Sequence, residues 1–539
     1  MRKSTKSFTC FLFVTFCVAA CQGPQTPRKG ALRIALEAMP TRMDPRYAMD
    51  AYASVVGSLV FASLVAPDRD AGYAPYLARS WEMVDETTWR FTLDPRFAFH
   101  DGSPLTAADV AATYRALLDP DMGSPRRLVL SRIASIEASG AHEVVFRLFE
   151  PDAAFLEAAT IGILPESMAR ELSLEGTRLV GAGPYRIVAV EPDRYIRLEA
   201  FESFCLGKPT LPAVEFRIVP DTLMRALELR HGSVDFVQNA LDPDTVEWLE
   251  ANDERLSVYR GQSNNFQYLG MNLEHEALSD VRVRRAIAHA IDRETIVRGL
   301  LADQATIATG LLPPHHWAYA RGVRRYDHDP ERARRLLDRA GLVDPDGPGP
   351  APRLILSYKT TTNELARRTA EAFAEQLAAV GIRLEIRSYE WGTFFADVRN
   401  GSFHLYSLQW VGLSDPDIYR QVFHSSMVPP NGNNRGRYRN AKMDKLTERG
   451  IGSASPEQRR RIYQRVQRLA ARQLPYVPLW WPLRIVVATE RLEGFTPHPS
   501  GDLFALSRSR LSASRRPHVA TVRPTRRAAA APLHRAPSP

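Results

Sequence analysis

Between Leu32 and about Leu483 the hydrophobic period of the chain keeps changing, from short strand-like runs to longer amphipathic stretches. That alternation does most to narrow the fold, because two periodicities in turn call for sheets covered by helices. Leu32-Arg33-Ile34-Ala35-Leu36 alternates as a first strand, and Thr88 to Leu93 and Val144 to Phe149 read the same way. Strands dominate from Tyr185 to Val219, a helix starts at Asp221, and another strand follows Gly232. Thr106 is placed to cap a helix running to about Leu118, with Asp109 at the capping-box position. Later helices are expected at Asp280 to Leu301, Pro330 to Ala340, Glu364 to Val380 and Glu457 to Leu474. The expected class is therefore α/β.

Within this pattern the stretch from Phe403 to Asp417 is read as a wall of a cleft. It begins as an apolar, aromatic run, the mark of a buried strand, then breaks at Gly412 and again at Asp415-Pro416. Strand ends that carry a Trp and two carboxylates suit a ligand cleft in an α/β sheet. An ordinary Asp-Pro turn after a core strand fits the same residues.

The two ends of the chain have a different character. Arg2, Lys3 and Lys6 precede an apolar run from Phe8 to Ala20, too short to span a bilayer and suited to a secretory signal. It closes on Val18-Ala19-Ala20-Cys21, which resembles a bacterial lipoprotein cleavage box. Residues 1–20 are thus expected to leave as signal peptide, with Cys21 lipidated and residues 21–30 forming a tether. Cys10 and Cys17 would leave too, so Cys205 remains as the free thiol, with no disulfide or Cys-based metal site in the mature chain. From Leu503 onward eight Arg and no acid accumulate, and residues 511–539 are expected to be a disordered basic tail. Without the eight Arg from Leu503 onward and the three positive charges of the signal, the net charge of +9 falls to about −2 for residues 21–502. The basicity therefore belongs to the ends and gives no ground for nucleic acid binding.

Few chemical motifs compete. Gly181-Ala182-Gly183-Pro184 is not read as a phosphate loop, since no helix follows directly and no Lys-Ser or Lys-Thr is present. No Gly-x-Ser-x-Gly elbow, His-Glu-x-x-His helix or Cys-His pair marks an enzyme. His315-His316 invites a metal reading, but adjacent side chains on an extended segment point apart. Trp317 and Trp480-Trp481 fit cleft walls or core packing. No cofactor and no metal are expected.

Several blocks occur in an order similar to that of the family 5 bacterial extracellular solute-binding proteins, the oligopeptide, dipeptide and nickel receptors of ABC importers. They are Pro75-Tyr76-Leu77-Ala78-Arg79-Ser80-Trp81, Phe99-His100-Asp101-Gly102 through Val110, Gly181 to Tyr185, Val281 to Arg293, Asp329 to Leu337, and Glu390-Trp391 to Phe394. The resemblance implies a periplasmic-binding-protein type II fold with two lobes and a hinge. Lobe I would span residues 31–271 with an extra subdomain at about 61–180, lobe II residues 272–483, and residues 484–510 would return to lobe I. Chain crossings near Asn272 and Leu483 would form the hinge, closing on a solute.

The resemblance also implies roles for particular residues. Trp410, Val411 and Gly412 would present a backbone edge to an extended peptide, with Trp391 nearby and Met39, after the first strand, facing them from lobe I. Relatives that bind free-amine peptides carry an Asp three residues after the Trp, where this chain has Leu413. Asp415 becomes the expected polar anchor, unless the ligand has no such amine. Lys359 stands near the place where dipeptide receptors hold a carboxylate with Arg. A lipid-anchored, periplasmic or otherwise extracytoplasmic monomer is expected, delivering a peptide or peptide-like solute to an ABC permease and ATPase. The alternatives are a nickel chelate, an oligosaccharide, or a lipoprotein with a structural or signalling role.

Overall fold

The computed structural model describes residues 30–512, apart from Leu128, Ser173, Pro348 and Ala454. The expected signal, Cys21, the tether to residue 29 and the tail from residue 513 lie outside the described residues. Two large sheets, each with its own helices, make two lobes. The first has seven strands in the order Leu256–Gly261, Arg484–Thr489, Phe236–Gln238, Leu32–Leu36, Ala213–Ile218, Tyr195–Ala200 and Tyr185–Glu191. Leu32–Leu36 lies parallel to both neighbours, Leu32 facing Val214 and Ile34 facing Phe236. The strand period of two puts successive residues into different cores. Leu32, Ile34, Leu36 and Phe236 join one core, while Ala35 and Val237 pack with Ala226, Leu229, Val246 and Leu249 of the covering helices.

The second sheet has six strands, ordered Ala305–Ile307, Tyr476–Pro482, Phe266–Met271, Leu405–Trp410, Leu354–Thr361 and Ile382–Tyr389. It divides its residues the same way. Phe266, Tyr268 and Tyr406 join one core, and Leu269, Met271 and Leu405 the opposite one. Because Phe266–Met271 pairs with two strands of this second sheet, the first crossing precedes Phe266 rather than lying near Asn272. The return crossing follows Pro482, where Tyr476–Pro482 gives way to Arg484–Thr489 of the first sheet. Asn264 at the first crossing and Arg484 beyond the second both donate to the carbonyl of Pro499, at 3.1 and 3.0 Å.

A four-stranded antiparallel sheet, Ala78–Asp85, Thr88–Leu93, Glu143–Leu148 and Ile133–Ser139, extends the first lobe with its own aromatic core. The helix Ala107–Leu118 covers it, and Asp109 Oδ2 accepts from both Thr106 N and Oγ1 at 2.8 Å. Two of the sequence blocks turn out to be one device. His100 accepts at Nδ1 from Gly181 N (3.2 Å) and donates from Nε2 to the carbonyl of Gly183 (3.1 Å), joining the Phe-His-Asp-Gly turn to the Gly-Ala-Gly-Pro segment. Burial pulls the His100 pKa down to about 4, which keeps it neutral in that role. The glycines are needed because a Cβ at Gly181 would lie 2.0 Å from Val60 O, and one at Gly183 would lie 2.6 Å from Leu59 O.

The expected single helix from Asp280 to Leu301 is two helices, Val281–Ala290 and Arg293–Leu301. Asp292 interrupts it by capping the second, accepting from Thr295 N at 3.0 Å and Thr295 Oγ1 at 2.7 Å. At the far end Leu503 and Leu506 are buried in the first lobe, and Leu492–Glu493 pairs with Arg510–Leu511. Among the described residues no helix is long and apolar enough to cross a membrane.

Candidate functional site

A cavity of about 350 Å3 lies between the lobes, lined by Asn239, Leu241, Pro243 and Ile485 from the first and by residues of the second sheet and its helices. Strand geometry explains the opening. Leu354–Thr361 pairs with Ile382–Tyr389 from end to end, but with Leu405–Trp410 only at Tyr358↔Leu405 and Lys359↔Tyr406. Beyond those pairs the ladder ends, and Tyr358, Thr360, Ser407 and Gln409 line the gap. Leu365, Ala366 and Thr369 of the helix Glu364–Ala378 form another wall, and Trp480 adds an aromatic surface.

The polar lining is made of neutral groups. Asn239, Asn265, Gln267, Gln304, Thr360, Thr369, Ser407 and Gln409 contribute amides and hydroxyls, and among the described residues no Asp, Glu, Lys, Arg or His lines the cavity. Several of these groups are held in place. Gln267 Nε2 donates to Ser407 Oγ (2.8 Å), which donates to the carbonyl of Tyr268 (2.9 Å). Gln304 Nε2 reaches across the lobes to the carbonyl of Pro243 (3.1 Å). Asn239 Oδ1 accepts from Ile485 N at 2.7 Å, and Asn265 Oδ1 from Gly412 N at 3.1 Å. Such a wall can satisfy uncharged hydrogen-bonding groups and pack apolar ones, but offers no counter-charge.

Of the residues singled out from the sequence, Trp480 lines this cavity, and the strand that carries Trp410 contributes Ser407 and Gln409, but Trp410, Val411, Gly412, Asp415, Trp391, Met39 and Lys359 do not line it. Trp410 points to the opposite face, stacked on Tyr268 (6.1 Å between rings) with the Arg435 guanidinium 4.6 Å from its ring centre. Arg435 also lies over Phe395, on which Trp391 stacks, so Trp391 and Trp410 belong to one aromatic ladder. Val411 is 62% exposed, and Gly412 (φ 69°) meets the cavity only through Asn265. Met39 is half-buried against the first-lobe core.

Two expected anchors are corrected. Asp415 is buried and gripped by Arg459 through two hydrogen bonds, Nη1 to Oδ2 at 2.7 Å and Nη2 to Oδ1 at 2.6 Å, so its charge is already answered. Lys359 stands one residue out of phase with Tyr358 and Thr360, which sends its side chain to the other face of the sheet. There it pairs with Asp397 and lies over Tyr389. Leu413, three residues after Trp410, is buried in the second-lobe core.

His315 and His316 have separate partners. His315 Nε2 meets Asn264 Oδ1 at 2.7 Å, and His316 Nδ1 accepts from Ala318 N at 3.0 Å. Burial pulls the His316 pKa down to about 3. Among the described residues no group of three or more His, Cys, Asp or Glu is gathered for a metal ion.

A second contact between the lobes joins the extra subdomain to three second-lobe segments, at Trp317, in the loop after Trp410, and at Ile451. Ala153 N donates to Ile451 O (2.9 Å), Trp317 N to Asp70 O (3.0 Å), and Tyr73 Oη to Ser414 Oγ (3.4 Å). Glu157 faces Asp415, Asp417 and Arg459 here, with its pKa pushed up to about 7 by burial first and then by Asp415, Asp417 and Asp152. Glu157 nevertheless keeps exposed surface. A side chain in a crevice between two protein walls has both properties. Asp417, bonded to Arg420 and Tyr463, is raised to about 6, chiefly by burial.

The missed residues carried a faint signal. Gln267 interrupts Phe266 and Tyr268, and Gln409 interrupts Leu408 and Trp410, so each is polar in an otherwise apolar or aromatic strand near its cleft end. Neutral amides form no recognisable motif, and the splaying that makes them neighbours is a tertiary property.

Comparison with known proteins agrees with this architecture. A probable di/tripeptide-binding protein 5 of Pseudomonas aeruginosa is 31% identical over 80% of this chain and 86% of its own. NikZ from Campylobacter jejuni, solved with Ni(L-His), superposes with a TM-score of 0.75 at 26% identity, covering 89% of this chain and 99% of NikZ. The oligopeptide-binding protein AppA of Bacillus subtilis, solved with a nonapeptide, gives 0.74 at 26% identity, covering 90% and 99%. The two lobes have the type II fold of periplasmic binding proteins. Residues 72–427 match the model of the bacterial extracellular solute-binding proteins, family 5 Middle, and the chain belongs to that family.

Proposed function

We propose that this chain is the substrate-binding protein of an ABC importer, capturing a peptide or peptide-like solute between its lobes and delivering it to a membrane permease driven by an ATPase. The observation that carries the reading is the cavity enclosed by both lobes next to their two crossings. A hinge there lets closure surround a solute, and the solute selects the closed state to the extent that it binds that state better. Relatives named for di- and tripeptide binding support the solute class. Lipidation at Cys21 would hold the protein on the outer side of a bacterial membrane, within reach of the permease. Val411 and Gly412, at the rim, would steady the part of the solute that extends beyond the cavity.

The test is a thermal-shift screen of the mature chain against tripeptide pools, nickel chelates and oligosaccharides. A solute at about 100 times its Kd adds roughly 2.7 kcal/mol of stability, so a binder raises Tm visibly and is recovered unchanged. Chemical conversion of the solute would refute a binding role. A response to nickel chelates alone would refute the peptide assignment.

A further inference from the structure

Among the described residues, those lining the cavity supply shape and hydrogen-bonding groups but no charge. We infer that the part of the solute enclosed there is uncharged, a chain end or segment bearing amides or hydroxyls without an ionised amine or carboxylate. This rests on the reading of the cavity as the solute site. Gln267, Gln304, Gln409, Asn239, Ser407 and Thr360 supply donors and acceptors from both lobes. Neutral amides and hydroxyls replace the water lost by a neutral polar group on closure, but cannot neutralise an ion.

Three charged groups near the lobe contacts are committed to partners of their own. Asp415 is held by Arg459, Lys359 by Asp397, and Arg368 by Asp244 on the helix that brings Pro243 to the cavity. Leu413 is packed in the core. An ionised terminus enclosed with the solute would therefore be desolvated without a partner, and that penalty exceeds the loss of a neutral hydrogen bond. The shared chemistry fits a blocked peptide and a neutral oligosaccharide, which differ in presenting amides or hydroxyls.

The test uses the mature chain and two tripeptide pools built from Ala, Ser and Leu, one with free ends and one N-acetylated and C-amidated, with maltotriose as a third probe. Affinities are read by native mass spectrometry and thermal shift. The doubly blocked pool, or maltotriose, is expected to bind at least about 100-fold more tightly than the free pool. The preferred probe then identifies amide or hydroxyl chemistry. Gln409 is exposed on the cavity wall, so Gln409→Lys introduces a cation without disturbing the core. It is expected to narrow the gap between free and blocked pools about 10-fold or more. Equal affinity for both pools in the wild-type protein, or an unchanged gap in Gln409→Lys, would overturn the inference and leave the peptide-binding role standing. Binding of no probe would overturn both.

Discussion

At the scale of single residues, the chain places ionised side chains in pairs away from the cavity. The Asp415–Arg459 pair is the clearest case. Removing one partner leaves a buried charge, so Asp415→Ala should destabilise the protein by about 3–5 kcal/mol, read as a lower denaturant midpoint. An unchanged midpoint would show that Asp415 is not held by Arg459 in solution. Glu157 offers a pH test. Its pKa rises to about 7 in the folded protein, so the folded state keeps a proton that the unfolded chain releases near the ordinary carboxylate range. Its share of stability is present below that range and is lost as pH climbs through about 7. Glu157→Gln should therefore gain Tm relative to wild type at pH 8 more than at pH 5. An equal difference at both pH values would contradict the shift. Sequence pointed to the strand carrying Trp410 and to Trp480 as cleft wall, but not to Ser407 and Gln409, the residues of that strand that face the cavity. A Trp and an acid announce themselves, whereas Ser407 and Gln409 matter only because two strands part beside them.

At the scale of elements, strand and helix periods predicted most of the ladder, because each sheet face opposes its own core. Boundaries failed where a polar residue took a second role. Asp292 reads as one more residue of a long amphipathic helix until its side chain is seen capping Thr295. Replacing it with Ala should cost about 1 kcal/mol in an unfolding titration. No loss would mean that the second helix is fixed by packing alone. The Gly181–Gly183 segment was legible as a motif, though its physical cause was not. A Cβ at Gly181 would meet Val60 O at 2.0 Å, which only a backbone shift relieves. Gly181→Ala should cost about 1–3 kcal/mol or more, with the loss seen as a lower Tm. A wild-type Tm would show that the subdomain joint yields freely.

At the scale of the molecule, two lobes, two crossings and an extra subdomain give the architecture on which the proposed closure around a solute rests. The crossing placed near Asn272 from the sequence lies before Phe266, because strand patterning cannot say which sheet a buried strand joins. Register and partner choice are long-range properties, and Phe266–Met271 suits either sheet by composition. The central claim is that the cavity between the lobes is where a solute binds, and a variant that fills it tests this directly. Ala366 sits half-buried on the helix that walls the cavity, so Ala366→Trp should occupy the space without disturbing the core. We would measure the Tm increase given by a binding tripeptide pool or trisaccharide in wild type and in Ala366→Trp. A clear increase in wild type that is lost in a folded variant with an unchanged starting Tm is the expected result. The same increase in both proteins would place the solute elsewhere and contradict the assignment of this cavity.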